Sequence, residues 1–199
     1  MSVNILRINA SIFGENGVSS QLSNTLLQNL QTVYRNVDIV ERDAASGDIP
    51  HFNANTLQQI NDGKAELADT LIEEVKNADI ILLAMPMYNF GVPSELKSWF
   101  DHIARAKVTF TYTENGPKGL LENKKVYVIT TRGGIHRDKS TDGQMPFLNT
   151  MLSFVGLDDV SYIYAEGLNM SGDTREKNIT LAKQQIEELV SEINSEALS

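Results

Sequence analysis

The stretch Asp79-Ile80-Ile81-Leu82-Leu83-Ala84-Met85-Pro86-Met87-Tyr88-Asn89-Phe90-Gly91-Val92-Pro93 is the part of this chain best equipped for chemistry. It runs from an apolar strand into a loop bounded by Pro86 and Pro93, and the loop feeds a helix. The loop offers backbone donors, the carboxamide of Asn89 and the rings of Tyr88 and Phe90. It contains no acid, base or nucleophile. Such a set holds a flat ring with polar edges better than it hydrolyses a bond. The Asn89 amide can meet a carbonyl and an N–H together. The plain alternatives are core packing for the two rings and a turn role for Asn89.

Two other segments have binding chemistry. Asn9-Ala10-Ser11-Ile12-Phe13-Gly14-Glu15-Asn16-Gly17-Val18-Ser19-Ser20 follows a first apolar strand and ends at a helix start. Free N–H groups and the helix dipole make such a place an anion site. Ser11 and Ser19 add hydroxyls and Gly17 permits close approach, although Ser19 also reads as an ordinary N-cap. Thr131-Arg132-Gly133-Gly134-Ile135-His136 follows a later strand, where paired glycines can turn N–H groups toward a ligand edge. Arg132 reads equally as a surface ion-pair partner, and His136 as a weak candidate proton donor. The chain has neither G-x-x-x-x-G-K-[ST] nor G-x-G-x-x-G, which disfavours a P-loop hydrolase and the usual dinucleotide site. Its three histidines are scattered and predict no metal site.

Strands and helices alternate along the whole sequence to position these loops. Strands are predicted at Val3–Ile8, Val37–Val40, Asp79–Ala84, Lys125–Thr130 and Val160–Tyr164. Helices are predicted at Ser19–Tyr34, Ala65–Lys76, Ser94–Ala106 with Ser94 as N-cap, Met145–Val155, and from near Asp173 with Glu176 placed for a capping box. The last helix carries Ile179, Ala182, Ile186, Leu189, Val190 and Ile193 on its inner face. Ala44–Gly63 reads as an irregular polar excursion, and Lys107–Asn123 as a long connection. This alternation predicts one α/β domain over 1–199, with a doubly wound, parallel five-stranded sheet in the order 2-1-3-4-5 and helices on both faces.

Composition narrows the function classes. The 199 residues suffice for one domain with a sizeable core. A formal net charge of -9 disfavours nucleic acid and anionic membranes as partners, so a phosphate must be met by local donors. There are no cysteines, which fits a cytoplasmic setting and removes thiolate chemistry. We read no signal peptide and no run long enough to span a bilayer.

In the order 2-1-3-4-5 the first and third strands flank the switch point, where ligands bind. The loops after strands one, three and four therefore converge, with phosphate at the first and a flat ring at the other two. This convergence favours an FMN site more than any single motif does. Donors near flavin N1 and O2 would stabilise the reduced ring.

The same residues resemble a known family. Pro86-Met87-Tyr88-Asn89-Phe90, Arg105-Ala106, Val108-Thr109-Phe110, Tyr112-Thr113-Glu114-Asn115-Gly116-Pro117, Arg132-Gly133-Gly134-Ile135-His136 and Ala165-Glu166-Gly167 occur in the order found in bacterial FMN-dependent NADH azoreductases and quinone reductases, of flavodoxin-like fold. The resemblance covers nearly the whole chain. It implies a homodimer with one tightly bound FMN per subunit and the active site at the interface. It implies NADH as donor and a quinone or azo compound as acceptor, reduced in ping-pong fashion. Carried over position by position, the FMN residues would be Ser11, Gly17, Val18, Ser19, Met87, Tyr88, Asn89, Phe90, Thr131, Arg132, Gly133 and Gly134. The substrate pocket would include Phe90 and Tyr112. The family often has Ser where this chain has Thr131, and relatives can have more hydroxyls where it has Gly17-Val18-Ser19. The Ala44–Gly63 excursion also looks shorter than in some relatives. The rival readings are a flavodoxin-like electron carrier, a serine hydrolase and a nucleotide-binding regulator. The hydrolase is disfavoured because no G-x-S-x-G elbow is present.

Overall fold

β3 (Ile80–Pro86) is buried at every one of its 7 residues. A strand apolar on both faces must be central and covered on each side. Its alternation sends Ile81, Leu83 and Met85 into one core and Ile80 and Leu82 into another. The computed structural model describes residues 2–197. Within them the elements in chain order are β1 (Val3–Asn9), α1 (Val18–Val33), β2 (Val37–Asp43), α2 (Ala54–Asn61), α3 (Glu66–Asn77), β3, α4 (Ser94–Ile103), β4 (Phe110–Thr113), β5 (Gly116–Gly119), β6 (Lys125–Thr131), α5 (Gln144–Val155), β7 (Asp159–Ala165) and α6 (Thr174–Ala197).

The main sheet has the order β2-β1-β3-β6-β7, with every pairing parallel. Counted within that sheet, this is the expected 2-1-3-4-5. α3, α4 and α5 cover one face through Leu71, Ile72, Val75, Leu96, Trp99, Phe100, Leu148 and Leu152. α1 and α6 cover the other through Leu22, Leu26, Leu30, Ala182 and Ile186. Because the strands are parallel, the connections from β1, β3, β6 and β7 all leave the sheet at its carboxyl end.

The segment Ala44–Gly63 is not an irregular excursion: it holds a 3₁₀ turn at Ala44–Ser46 and the helix α2. α2 is set by its cap: Asn53 Oδ1 accepts from the N–H groups of Asn55 and Thr56. Its apolar residues are too few to show a periodic stripe, and Leu57 remains half exposed. The connection at Lys107–Asn123 contains an antiparallel hairpin, β4–β5. Ser94 is not the N-cap of α4. Pro93 precedes the helix, its carbonyl accepts from Lys97 N, and the Ser94 hydroxyl donates to Glu95 instead. α4 ends at Ile103 because the Thr109 hydroxyl donates to Ile103 O at 2.6 Å and accepts from Arg105 N at 2.8 Å.

The hairpin is joined to α5 by glycine against glycine. A Cβ on Gly119 would sit 2.0 Å from Gly156 N and 2.4 Å from Val155 C. The N–H groups of Leu120 and Leu121 both donate to Val155 O, at 3.1 and 2.9 Å. Since the opposing atoms are backbone, Gly119→Ala must move the hairpin. We expect it to lower stability by about 1–3 kcal/mol, the usual cost of overpacking. A fall in the urea midpoint at unchanged slope would show it.

Candidate functional site

The loop after β1 is braced from beneath by buried polar groups. The Arg7 side chain donates to Ser23 Oγ at 3.1 Å, Ser20 O at 3.1 Å, Glu15 Oε2 at 3.1 Å and the Glu41 carboxylate at 3.2 Å. Asn9 Nδ2 donates to Glu15 Oε1 at 2.9 Å, and the Ser20 hydroxyl lies 2.7 Å from both Asn9 Oδ1 and Gly14 O. Burial opposes the charge on Glu15. Hydrogen bonds from Arg7 and Asn24, the Arg7 charge and a bond from Asn9 outweigh it, so the Glu15 carboxyl lies below its ordinary 4.5.

On this base Gly17 turns into α1 with no side-chain cap. Ser19 is therefore not the N-cap. It lies inside the first turn, 1% exposed, and its hydroxyl has no hydrogen-bond partner. The N–H groups of Val18, Ser19 and Ser20 open the helix with no acceptor among the described residues. A Cβ at Gly17 would stand 2.2 Å from Ser11 Oγ, so glycine alone leaves this cradle open.

The loop after β3 is a tight turn. Asn89 and Phe90 have φ of 49° and 68°, as a type I′ turn requires of its two central residues. Tyr88 and Gly91 exchange backbone bonds of 3.2 and 3.0 Å across it. Non-glycine residues in that region are held at a cost, a condition concentrated at functional sites. The turn is tied to its neighbours. Ile12 N donates to the Tyr88 hydroxyl at 3.2 Å, and Met87 N donates to Thr131 O at 2.8 Å. Gln144 Nε2 donates to Pro86 O at 2.9 Å.

The loop after β6 hangs on one carboxylate. Glu166 Oε1 accepts from His136 N and Arg137 N, both at 2.8 Å, and from Arg132 Nη1 at 3.1 Å. Arg132 is not a surface ion-pair partner. Its guanidinium is fully buried, also pairs with Asp142 at 2.7 Å, and lies over the Tyr164 ring. Asp142 Oδ1 in turn accepts from Gln144 N and Met145 N at the start of α5. The carbonyls of Gly133 and Gly134 accept from Asn169 N and Gly167 N, while their own N–H groups donate to no protein acceptor among the described residues.

These loops meet in a cleft of about 290 Å³ at the carboxyl end of the sheet. Of the residues singled out in the sequence, Ser11, Gly17, Val18, Ser19, Met87, Tyr88, Thr131, Arg132 and Gly133 line it. Asn89, Phe90 and Gly134 do not. Asn89 and Phe90 are exposed in the turn beyond Tyr88, and a Cβ on Gly134 would lie 2.7 Å from His136 Nε2. His136 stacks edge-on against Phe90 at 5.6 Å, with Nδ1 2.9 Å from the Thr141 hydroxyl. Tyr112 stands 73% exposed on the hairpin, edge-on to Phe110, and does not line the cleft. Three residues after β7 line it unforeseen: Leu168, Asn169 and Arg175. The only signal for them was topological, because β7 also ends at that edge. A larger hollow of about 490 Å³ lies between β2 and α3, with Asp38, Asp69, Glu73 and Glu74 among its lining residues. Those carboxylates would repel a phosphate, so size does not decide the site. No group of side chains able to hold a metal ion occurs among the described residues.

Comparisons with known proteins bear on the fold and the family. A family model described as flavodoxin-like fold matches residues 3–190. A protein of Saccharophagus degradans named FMN-dependent NADH:quinone oxidoreductase is 56% identical over 94% of this chain and 93% of its own. Proteins of the same name from Alcanivorax borkumensis and Cellvibrio japonicus are 42% and 44% identical over 92% of the chain and 98% and 96% of their own lengths. A solved FMN-dependent NADH-azoreductase from Bacillus anthracis, in complex with FMN, superposes with a TM-score of 0.85 at 24% identity, covering 96% of this chain and 99% of that one. At that identity it bears on the fold.

Two outcomes test the bracing. Glu166→Ala leaves the buried Arg132 with Asp142 as its one carboxylate and leaves two N–H groups without their acceptor. We expect a loss of about 2–4 kcal/mol in chemical denaturation, the cost of unsatisfied donors. Glu15 is more stable ionised in the fold than in the unfolded chain. The stability difference between wild type and Glu15→Gln should therefore be full above pH 4.5 and shrink as the pH falls through the lowered folded value. Urea titrations at stepped pH would measure it.

Proposed function

The chain belongs to the flavodoxin-like family, and we propose on that footing that it is an FMN-dependent NADH:quinone oxidoreductase that also cleaves azo compounds. One observation carries the reading. The loops after β1, β3 and β6 line a single cleft whose phosphate end has an uncapped helix start and an unpartnered buried hydroxyl on Ser19. The names of relatives 42% to 56% identical over nearly their full lengths support the cofactor and the donor.

The residues present fit FMN. The N–H groups of Val18, Ser19 and Ser20, with the hydroxyls of Ser11 and Ser19, form the donor set a phosphate monoester needs. The bare cradle at Gly17 leaves room for it. When bound, FMN supplies two-electron hydride chemistry between NADH and an acceptor.

The protein's part is to bind and orient. Met87 and Tyr88 line the cleft on the side of the loop after β3 and would border the ring. The free N–H group of Gly133 would meet the ring's polar edge, where negative charge grows on reduction, and Gly134 N–H and the Asn89 amide, outside the cleft lining, would reach that edge from its rim. Glu166 and Asp142 hold Arg132 and fix the Gly133–Gly134 segment in place. The half-exposed Phe90 ring, propped by His136, offers a flat face to donor and acceptor in turn, which is the ping-pong order. The protons that complete reduction come from water or from His136.

The further parts of the reading are one domain over 1–199, a cytoplasmic setting and a homodimer with the active site at its interface. The exposed Ile12, Phe13, Phe90, Tyr112 and Met170 support the homodimer. So does the position of Tyr112, on a hairpin that does not reach its own cleft.

The purified protein should show a flavin spectrum that NADH bleaches anaerobically and benzoquinone restores. A flavin that NADH cannot bleach would make the chain an electron carrier, and failure to take up added FMN would overturn the reading. Asn89→Gly keeps a residue suited to positive φ while removing the amide. It should weaken FMN binding about 5- to 15-fold, the worth of one ordinary hydrogen bond, with little change in melting temperature. Unchanged affinity would take Asn89 out of the site.

A further inference from the structure

We infer that Arg175, in the first turn of α6, is the cationic anchor for the phosphate bound in this cleft, and that it lets the site distinguish a phosphorylated flavin from an unphosphorylated one. The inference rests on the FMN reading above and goes beyond it. None of the motifs that carry the family resemblance, and none of the site residues read from the sequence, lies in α6.

The chain is formally -9, yet no carboxylate lines the cleft. Two cations do, Arg132 and Arg175. Arg132 is neutralised by Asp142 and Glu166. Arg175 has no ion pair among the described residues; Arg35, which is exposed and outside the cleft lining, has none either, whereas Arg7, Arg42, Arg105, Arg132 and Arg137 each have at least one. Its one hydrogen bond runs from Nη1 to Leu168 O at 3.1 Å. That bond orients the guanidinium against the loop after β7 and leaves its other donors available. The half-buried position keeps the charge from full screening by water.

A second observation points to an anion at the same place. The Ser19 hydroxyl lines the cleft, is buried, and has no partner. It belongs to the first turn of α1, which packs beside α6 on the same face of the sheet. Both helices begin at the carboxyl end of their strands, so their positive dipole ends lie side by side. A phosphate between them receives N–H and hydroxyl donors from α1 and a forked, charged donor from α6. The limited hydroxyl content of Gly17-Val18-Ser19 is thereby offset from another element.

The test is a binding titration on the full chain stripped of flavin, with FMN and riboflavin as probes, at low and high NaCl. Wild type should prefer FMN, with an affinity that falls as salt rises. Arg175→Met should raise the FMN Kd about 10- to 100-fold, the worth of one charged hydrogen bond, and flatten the salt dependence. Its riboflavin Kd and melting temperature should stay within about twofold and a few degrees of wild type. Arg175→Lys should recover part of the loss. Equal losses for FMN and riboflavin would make Arg175 a structural residue and overturn the inference. So would an unchanged FMN Kd, and with a raised KM for NADH that result would assign the charge to the dinucleotide. Wild type that binds no FMN would overturn the flavin reading and this inference together. Tight wild-type binding with an unaffected variant would overturn this inference alone.

Discussion

The seven buried residues of β3 impose the constraint from which the rest follows. A strand with no solvent face cannot lie at an edge, and its two apolar rows need two separate covers. α3, α4 and α5 supply one, and α1 and α6 supply the other. Helices returning over both faces require parallel neighbours, and parallel neighbours send every outgoing loop to one end. Function at that end is a by-product of how the middle is buried.

The ends of these strands bear a different burden. Arg7 and Arg132 are almost wholly buried, and each is surrounded by carboxylates and hydroxyls from separate segments. A buried guanidinium adds little net stability, but it fixes direction, because its fork accepts partners at few angles. Arg7 fixes the loop after β1 through Glu15 and Ser20. Arg132 joins the loop after β6 to the start of α5 and the end of β7. The cleft thus stands between two rigid charged networks, and its own donors are left without protein partners.

The sheet was readable because hydrophobic periodicity is a local signal. Ile80–Pro86 and Leu22, Leu26 and Leu30 show their burial in the spacing alone. α2 was missed because its eight residues bury only Thr56, so no stripe exists to be read. Its Asn53 cap was the one usable sign. The Ser94 cap failed because a hydroxyl before a helix shows capacity, and the neighbouring Glu95 took it. Much of the cleft lining was legible, since loops after apolar strands must emerge at the same edge. Asn169 had only the topological sign that β7 ends at that edge, and Arg175 was not legible, because its place depends on α6 lying next to α1, a contact between elements far apart in the chain. Likewise the burial of Arg132 depends on Asp142 and Glu166, which no short-range pattern connects.

The two glycines that touch, Gly119 and Gly156, give α5 a second office. At one end the helix is fused to the hairpin carrying Tyr112. At the other, Gln144 grips Pro86 O and the Thr130 hydroxyl beneath the cleft. A helix of 12 residues is a rod about 18 Å long, and it does not compress. Hairpin and cleft floor are therefore geared to one shaft. A tilt of the hairpin reaches the floor as a change of alignment before any local backbone can absorb it.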